Sequence, residues 1–359
     1  MPSKRLILLG AGHTHLLLTQ RLCALREAGI DPLLIAPRWF DYSGLATAVL
    51  SGALPAAANR IDVAALAKRR GLAFVEGRAA TVDPAAKSVR LEDGSAEAYD
   101  LLSLNIGSAV DTAIAGGDGT WLVKPLAELT RLRERVESTL SRSPATIVVA
   151  GAGPTGTEVA ASMAGLFERY GAAAAIALVG KPTRSTGWNG LYRSLERRGV
   201  SMIDDEVIAR LANGARLRDG RTLACDHLIA ATGLRANALI RAVPVAHGPT
   251  GGIAVAATLQ SVTDPALFAS GDCADFLPRS LPKHGVFGVR QAPVLARNLI
   301  AAARGEPLVP YRPQRRWLAI MDLGNREGFA TWGPLAWRGR AALALKRRLD
   351  LDFVRRFQC

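Results

Sequence analysis

Short runs of apolar residues alternate along this chain with longer stretches whose apolar positions recur at three- and four-residue spacing, the pattern of strands joined by helices. Arg5 to Leu9 is one such run, followed by Gly10-Ala11-Gly12-His13-Thr14-His15 and a helical pattern through about Leu25. The order repeats at Thr146 to Ala150, which lead into Gly151-Ala152-Gly153-Pro154-Thr155-Gly156-Thr157-Glu158 and a helix through Leu166. Further strands are expected at Leu33 to Ala36, Ile176 to Val179, Leu228 to Ala231 and Pro265 to Ala269. In the tail, Trp317 to Gly324 and Phe329 to Gly333 read as a hairpin. A helix follows from about Gly339 to Phe357, with Leu345, Leu349, Phe353 and Phe357 on one side and Arg340, Arg347, Arg348 and Arg355 on the other.

Strand, glycine turn and helix together suit a dinucleotide. A first glycine turns the chain tightly, a second lets pyrophosphate approach the backbone at a helix N-terminus, and a third lets helix and strand pack closely. Gly10 and Gly12 fit the first two places, but His15 stands where the third glycine belongs. Pro37-Arg38 also replace the acid that would bond a ribose at the end of the next strand. The second loop is complete, with Gly151, Gly153 and Gly156. Two such loops, 141 residues apart and each between a strand pattern and a helix pattern, imply two nucleotide sites.

Composition narrows the class. The 359 residues are 49% apolar and 21% charged with 35 glycines, which excludes disordered, collagenous and heptad-repeat chains and suits two cores. No apolar run reaches the roughly 18 residues that would span a bilayer. The first apolar stretch is broken by Gly10 and Gly12 too early for a signal peptide, so a cytoplasmic protein is expected. Cys23, Cys225, Cys273 and Cys359 form no C-x-x-C pair and, with the five histidines, no metal-ligand cluster. Half of the +14 formal charge lies in the tail, where Arg312 to Cys359 carry 11 basic against 4 acidic residues. No nucleic-acid-binding motif accompanies that charge. The basic helix is expected either to lie on an anionic membrane or to close the core or a homodimer face.

Seven stretches resemble one family: LILLGAGHTHL (Leu6 to Leu16), DYSGL (Asp41 to Leu45), YDLLSLNIGS (Tyr99 to Ser108), VKPL (Val123 to Leu126), VVAGAGPTGTEVA (Val148 to Ala160), FASGDCA (Phe268 to Ala274) and LPKHGVFGVRQAPVLARNL (Leu281 to Leu299). In this order the chain resembles the pyridine-nucleotide-dependent flavoproteins of the type II NADH dehydrogenase kind. It is most similar to the NADH-dehydrogenase-like flavoprotein domain found fused to selenide, water dikinase. In that subgroup a G-x-G-H-x-H loop is usual, which makes His15 a family substitution.

The resemblance implies an α/β fold of two Rossmann-like domains, the NAD(P) domain inserted into the FAD domain. The expected bounds are 1–112 and 235–310 for FAD, 113–234 for NAD(P) and 311–359 for the tail. It further implies that Asp272, after Gly271, accepts hydrogen bonds from the flavin ribitol, that Ser43 lies at the cofactor, and that Gly233 ends the strand returning to the FAD domain. His13 and His15 are expected to pack and hydrogen-bond beside the phosphate turn. Glu158 either faces the nicotinamide and flavin edge or is a first-turn acid on a helix dipole. Lys124 is either near the flavin or a solvated surface lysine. Lys181 and Arg184 after the second strand favour NADP(H), unless they belong to an ordinary basic loop. Arg290 and Gln291 are expected at the flavin pyrimidine, at an anionic acceptor, or simply at a helix start; a type II dehydrogenase would carry two glutamines there, which puts the quinone in doubt. The expected activity is FAD-dependent hydride transfer from NAD(P)H and onward to a quinone or small soluble acceptor. A redox-silent nucleotide-binding sensor or assembly partner is the alternative.

Overall fold

A computed structural model describes residues 3–110, 114, 116–140, 145–173 and 175–358. Two five-stranded parallel sheets organise it. In the first, the strands run in the order Leu267–Ala269, Leu101–Leu104, Lys4–Leu9, Ile30–Ala36 and Ala73–Glu76. In the second the order is Thr120–Leu122, His227–Ala230, Thr146–Ala150, Ala175–Val179 and Val200–Ile203. Both sheets therefore place their glycine-loop strand in the middle, where the chain reverses its direction of travel across the sheet. That reversal opens a crevice beyond the strands' carboxyl ends, where open α/β sheets take ligands.

The strands read as near-continuous apolar runs because helices cover both faces of a parallel sheet. Leu6, Ile7 and Leu8 are fully buried in one core, and Val148, Val149 and Leu228 in the other. The chain crosses between the two lobes twice, and Ala109–Val110 and Leu234–Arg235 pair antiparallel at the crossing. The expected boundary at 112–113 lies outside the described residues. Small antiparallel sheets, Ala79–Asp83 with Ser88–Leu91 and Ala96–Ala98, and Val207–Leu211 with Gly214–Leu217 and Thr222–Ala224, extend the two lobes.

The tail differs from expectation in two ways. The hairpin has a third strand, so Leu318–Asp322, Gly328–Trp332 and Leu335–Gly339 form a meander. The helix Arg340–Gln358 buries Ala342, Lys346, Asp350, Phe353, Val354 and Phe357, whereas Leu345 and Leu349 face solvent. Spacing of four residues advances about 400° on a helix, so residues four apart drift by about 40° a step and Leu345 ends far round from Phe357. Arg347, expected on the outer side, is turned in against Asp322 with 2.6 Å between Nη2 and Oδ2. The tail spans both cores: Met321, Leu323 and Phe329 pack on the second, Phe353, Val354 and Phe357 on the first.

Candidate functional site

A cleft of about 750 Å³ runs between the lobes, within the range of small-molecule and cofactor sites. Gly10, Gly12 and His13 line it from the first loop, Pro154, Thr155 and Glu158 from the second helix, and Ile320 and Lys346 from the tail.

The first loop is held by Asn105, a residue the sequence reading passed over. Its backbone carbonyl accepts from Gly12 N–H at 3.1 Å, its Oδ1 accepts from the Thr14 and His15 amides at 3.1 and 3.3 Å, and its Nδ2 donates to the Ser270 carbonyl at 2.8 Å. A Cβ on Gly10 or Gly12 would be driven into Asn105, and Gly10 also has φ +89°. The only sequence signal for Asn105 was a polar residue ending an apolar strand just before Ile106-Gly107.

His15 is 1% exposed and is not among the residues lining the cleft. Its Nδ1 lies 2.6 Å from the Gly10 carbonyl and its Nε2 2.8 Å from Ser103 Oγ. A carbonyl can only accept, so Nδ1 carries the proton and Nε2 accepts from the serine. Burial lowers the imidazole to about 4, against a smaller upward pull from the Gly10 hydrogen bond, which leaves one neutral tautomer. His13 is on the cleft wall among Phe40, Tyr42 and Phe353, with ring centroids 5.6, 5.4 and 5.3 Å away. Burial lowers it to about 4 as well, opposed by the Asp272 and Asp350 charges and reinforced by Lys124.

Lys124 and Asp272 come together in the cleft. Lys124 Nζ and Ser108 Oγ each donate to Asp272 Oδ2 at 2.8 Å. Burial opposes ionisation of Asp272, but the Lys124 charge and these hydrogen bonds outweigh it and hold the carboxyl below its ordinary value. Lys283, unremarked in the sequence, donates to the Asp272 backbone carbonyl at 2.6 Å. Gly271 and Ser43 also line the cleft.

Glu158 faces the cleft from the second helix. Its Oε1 accepts from Thr47 Oγ1 at 2.9 Å and from the Asp322 amide at 2.8 Å, with Lys346 Nζ 3.9 Å away. Burial raises its carboxyl, and the Lys346 ammonium only partly offsets that. Lys346 in turn donates to the Gly44 carbonyl at 2.7 Å and to Asp350 Oδ2 at 3.0 Å, while Tyr42 donates to Asp350 Oδ1 at 2.9 Å. Burial alone would lower the Lys346 ammonium, yet Glu158 and Asp350 hold it above its usual value. A charged group inside an amphipathic helix gave no sequence sign that it would point inward.

The second loop behaves differently. A Cβ on Gly156 would be driven into the Gly151 carbonyl, so this third glycine lets helix and strand touch. Gly151 has φ +108° and a Cβ there would meet the Ala231 carbonyl. Gly153 has an ordinary φ of −70°, and a Cβ on it would meet no protein atom within 4 Å. Among the described residues no side-chain hydrogen bond caps the start of this helix. Gly180 packs against the Ala152 amide; Lys181 follows it directly and Arg184 three residues on, both exposed and without an ion pair among the described residues. Gly233, with φ +115°, is likewise open on its Cβ side.

Arg290 and Gln291 lie in the first turns of one helix and point in different directions. The helix Gly285–Arg304 turns Gly285 and Gly288 to the cleft. A residue two positions beyond Gly288 lies about 200° round the helix, so Arg290 is exposed and is not among the lining residues. Gln291 is 2% exposed and accepts from the Gly271 amide at 2.7 Å, supporting that turn from behind.

Comparison with known proteins bears on the fold and the family. A probable ferredoxin reductase of Castellaniella defragrans is 28% identical over 326 residues, covering 85% of this chain and 76% of that one. An NADH dehydrogenase-like protein of Mycobacterium tuberculosis is 28% identical over 77% of this chain and 74% of its own. Among solved structures, the sulfide:quinone oxidoreductase of Aquifex aeolicus superposes with a TM-score of 0.86 at 15% identity, covering 99% of this chain and 92% of that one. A ferredoxin reductase of Rhodopseudomonas palustris gives 0.73 at 20% identity, over 99% and 98%. Residues 5–297 match the pyridine nucleotide-disulphide oxidoreductase family, and the chain belongs to it.

Proposed function

We propose that this FAD-dependent NAD(P)H oxidoreductase holds FAD along the first glycine loop and the nicotinamide coenzyme at the second, with residues 1–112 and 235–310 as the FAD domain and 113–234 as the NAD(P) domain. The observation that carries this reading is Gly153. Neither its φ nor any neighbour among the described residues calls for glycine, so its missing side chain serves something that approaches the backbone from outside. The bound flavin and nicotinamide supply the hydride chemistry. The chain binds and orients them. Asp272, fixed by Lys124 and Ser108, takes the ribitol hydroxyls, and Gly10, Gly12, Ser43 and Gly271 form the wall along which the cofactor lies, with Gly233 on the strand that returns to the FAD domain. His13 gives that wall an uncharged aromatic ring, and burial makes Glu158 a weaker acid than a solvated glutamate.

Lys181 and Arg184 sit where a coenzyme 2′-phosphate would extend beyond the second strand, and their free charges favour NADPH. Anaerobic mixing of the protein with each coenzyme, followed through the flavin's visible absorbance, tests both points. Bleaching should be faster at low NADPH than at low NADH. Replacing Lys181 and Arg184 together should raise the NADPH KM about tenfold and leave that for NADH unchanged. An unaltered preference in the double variant removes the 2′-phosphate reading, and colourless protein that cannot take up FAD removes the whole assignment.

The tail favours a quinone taken from a membrane surface over a soluble acceptor. Trp332, Leu335, Trp337, Leu345 and Leu349 are 47, 56, 38, 37 and 51% exposed, in a segment carrying seven net positive charges. The strand Leu318–Asp322, in the same meander, sends Ala319, Ile320 and Met321 to the cleft. No helix among the described residues is long and apolar enough to cross a membrane, so the contact is peripheral. Full-length protein should sediment with anionic vesicles at low salt and be released at high salt. Replacing Trp332, Trp337 and Leu349 by serine should abolish sedimentation while the flavin stays bound. Intact protein that ignores anionic vesicles, or that forms a dimer through this face, counts against the membrane.

A further inference from the structure

Two glycines bound the segment that carries Lys181 and Arg184, and each is seated against a different part of the molecule. Gly180, with φ +152°, has the Ala152 amide of the second glycine loop where its Cβ would be. Gly187, with φ +83°, faces the tail: a Cβ on it would lie 2.9 Å from the Ala336 methyl carbon and 3.1 Å from the Phe329 ring. The segment therefore runs from the second glycine loop to the tail meander.

Thr183 stands between the two cations, and its amide donates to the Tyr192 hydroxyl at 2.8 Å. Among the described residues no other hydrogen bond reaches residues 181–184. Tyr192 and Trp188 are four residues apart on the helix Trp188–Glu196, so they share one face of it, with ring centroids 5.6 Å apart. Trp188 is 5% exposed and meets Phe329 edge-on at 5.6 Å. Phe329 and Ala336 belong to the meander strands Gly328–Trp332 and Leu335–Gly339. Side chains alternate along a strand, so Ala336 turns to Gly187 while Leu335 and Trp337, on either side of it, are left to solvent. A loop without these supports would have to be ordered, together with two long side chains, each time a coenzyme bound; a braced loop is ordered beforehand.

We propose that Tyr192 is a positioning residue for coenzyme selection: it holds the segment from Lys181 to Arg184 through the Thr183 amide, and the tail meander holds Tyr192 through Phe329 and Trp188. This rests on the reading that the two cations take the 2′-phosphate. The meander then has two tasks, its outer side chains facing solvent and its inner ones steadying the loop that tells NADPH from NADH.

Holoprotein mixed anaerobically with a range of NADPH or NADH concentrations gives, for each coenzyme, a half-saturating concentration and a limiting rate of flavin bleaching. Tyr192→Phe keeps the ring and removes the acceptor of the Thr183 amide. It should raise the half-saturating NADPH concentration about three- to tenfold relative to that for NADH, with the limiting rate unchanged. Phe329→Leu, in the tail, should move the same ratio in the same direction. Should that variant fail to accumulate, Ala336→Gly, which withdraws the methyl group seated on Gly187, reads the same contact. Adenosine 2′,5′-bisphosphate should compete with NADPH less well in Tyr192→Phe than in the wild type, and AMP equally well in both. An unchanged ratio in Tyr192→Phe, or an equal loss for both coenzymes, overturns the positioning role, and an unchanged ratio in the tail variants overturns the brace. If the variant lacking both Lys181 and Arg184 keeps its coenzyme preference, the 2′-phosphate reading falls and this inference with it. If that variant loses its preference while Tyr192→Phe keeps it, only the inference falls.

Discussion

The two glycine loops share one backbone path and solve one packing problem by opposite means. Each must bring a helix against the carbonyl that ends the preceding strand turn. In the second loop the side chain is deleted, and Gly156 sits directly on the Gly151 oxygen. In the first, a large side chain reaches round and bonds that oxygen, with His15 Nδ1 on Gly10. The helix starts differ too: Asn105 caps the first, and no side chain among the described residues caps the second. A glycine makes the contact insensitive to solution conditions but offers no bond. The histidine adds two buried hydrogen bonds and ties the loop to the neighbouring strand at Ser103, at the cost of a group that must stay neutral.

The largest effect is expected where the backbone itself is in contact. Gly156→Val would push a side chain into the Gly151 carbonyl, a group that cannot rotate away because its strand is central in the sheet. Overpacking of a core costs about 1–3 kcal/mol or more, and rigid backbone puts this case at the upper end. Thermal unfolding should begin at least about 5 °C lower, or the protein should fail to accumulate in soluble form. A melting curve like that of the wild type would show that the second helix can withdraw, and that the two loops are less different than their contacts suggest.

His15→Ala comes next. It leaves the Gly10 carbonyl and the Ser103 hydroxyl without their partner in a buried place, at about 1–3 kcal/mol each. It should also change how stability depends on pH. His13 and His15 titrate at about 4 in the folded protein against 6.5 as free side chains, so between those values the unfolded chain binds more protons. Stability is then fully present above about pH 6.5 and falls as pH drops toward 4, by about 3 kcal/mol for each histidine. Removing His15 should make the fall over that window shallower, while the stability lost at neutral pH remains. Unfolding midpoints of both proteins between pH 4 and 7.5 measure it; parallel curves would mean that His15 is not held neutral.

Much of this was legible from spacing. Both loops, and the strands that lead into them, follow from glycines placed between strand and helix patterns, because few side chains tolerate those turns; the place of Gly271-Asp272 beside the first turn followed from the flavoprotein resemblance. What escaped was set by long-range partners. Asn105 lies 91 residues from the amide it caps, and nothing near it in sequence marks it. Lys346 and Asp350 drew no notice within the basic amphipathic helix, because the groups that Lys346 meets, Glu158 and Gly44, lie more than 180 residues earlier. Arg290 and Gln291 were read as a pair, yet adjacent positions on a helix point about 100° apart, and only Gln291 turns inward. The four-residue leucine spacing likewise overstated one apolar face, since Leu345 and Leu349 serve the outside of a helix whose inside carries a lysine and an aspartate.

The smallest effect on stability, and the sharpest on function, is expected at Gly153. Its φ of −70° is open to any residue and its Cβ direction is empty among the described residues, so Gly153→Val should lose only the helix-start preference for glycine over valine, about 1 kcal/mol, and unfold within about 3 °C of the wild type. The isopropyl group would nevertheless occupy the space through which a pyrophosphate reaches the uncapped amides of Thr155 and Gly156. NAD(P)H should no longer bleach the flavin, while dithionite, which needs no nicotinamide site, should bleach it fully. The matching change in the other loop, Gly12→Val, should behave in the opposite sense and lower stability, because there the side chain meets Asn105 before it meets any ligand. If Gly153→Val keeps its NAD(P)H-driven bleaching, the open space at the second loop belongs to something other than the coenzyme, and the contrast between the loops concerns packing alone.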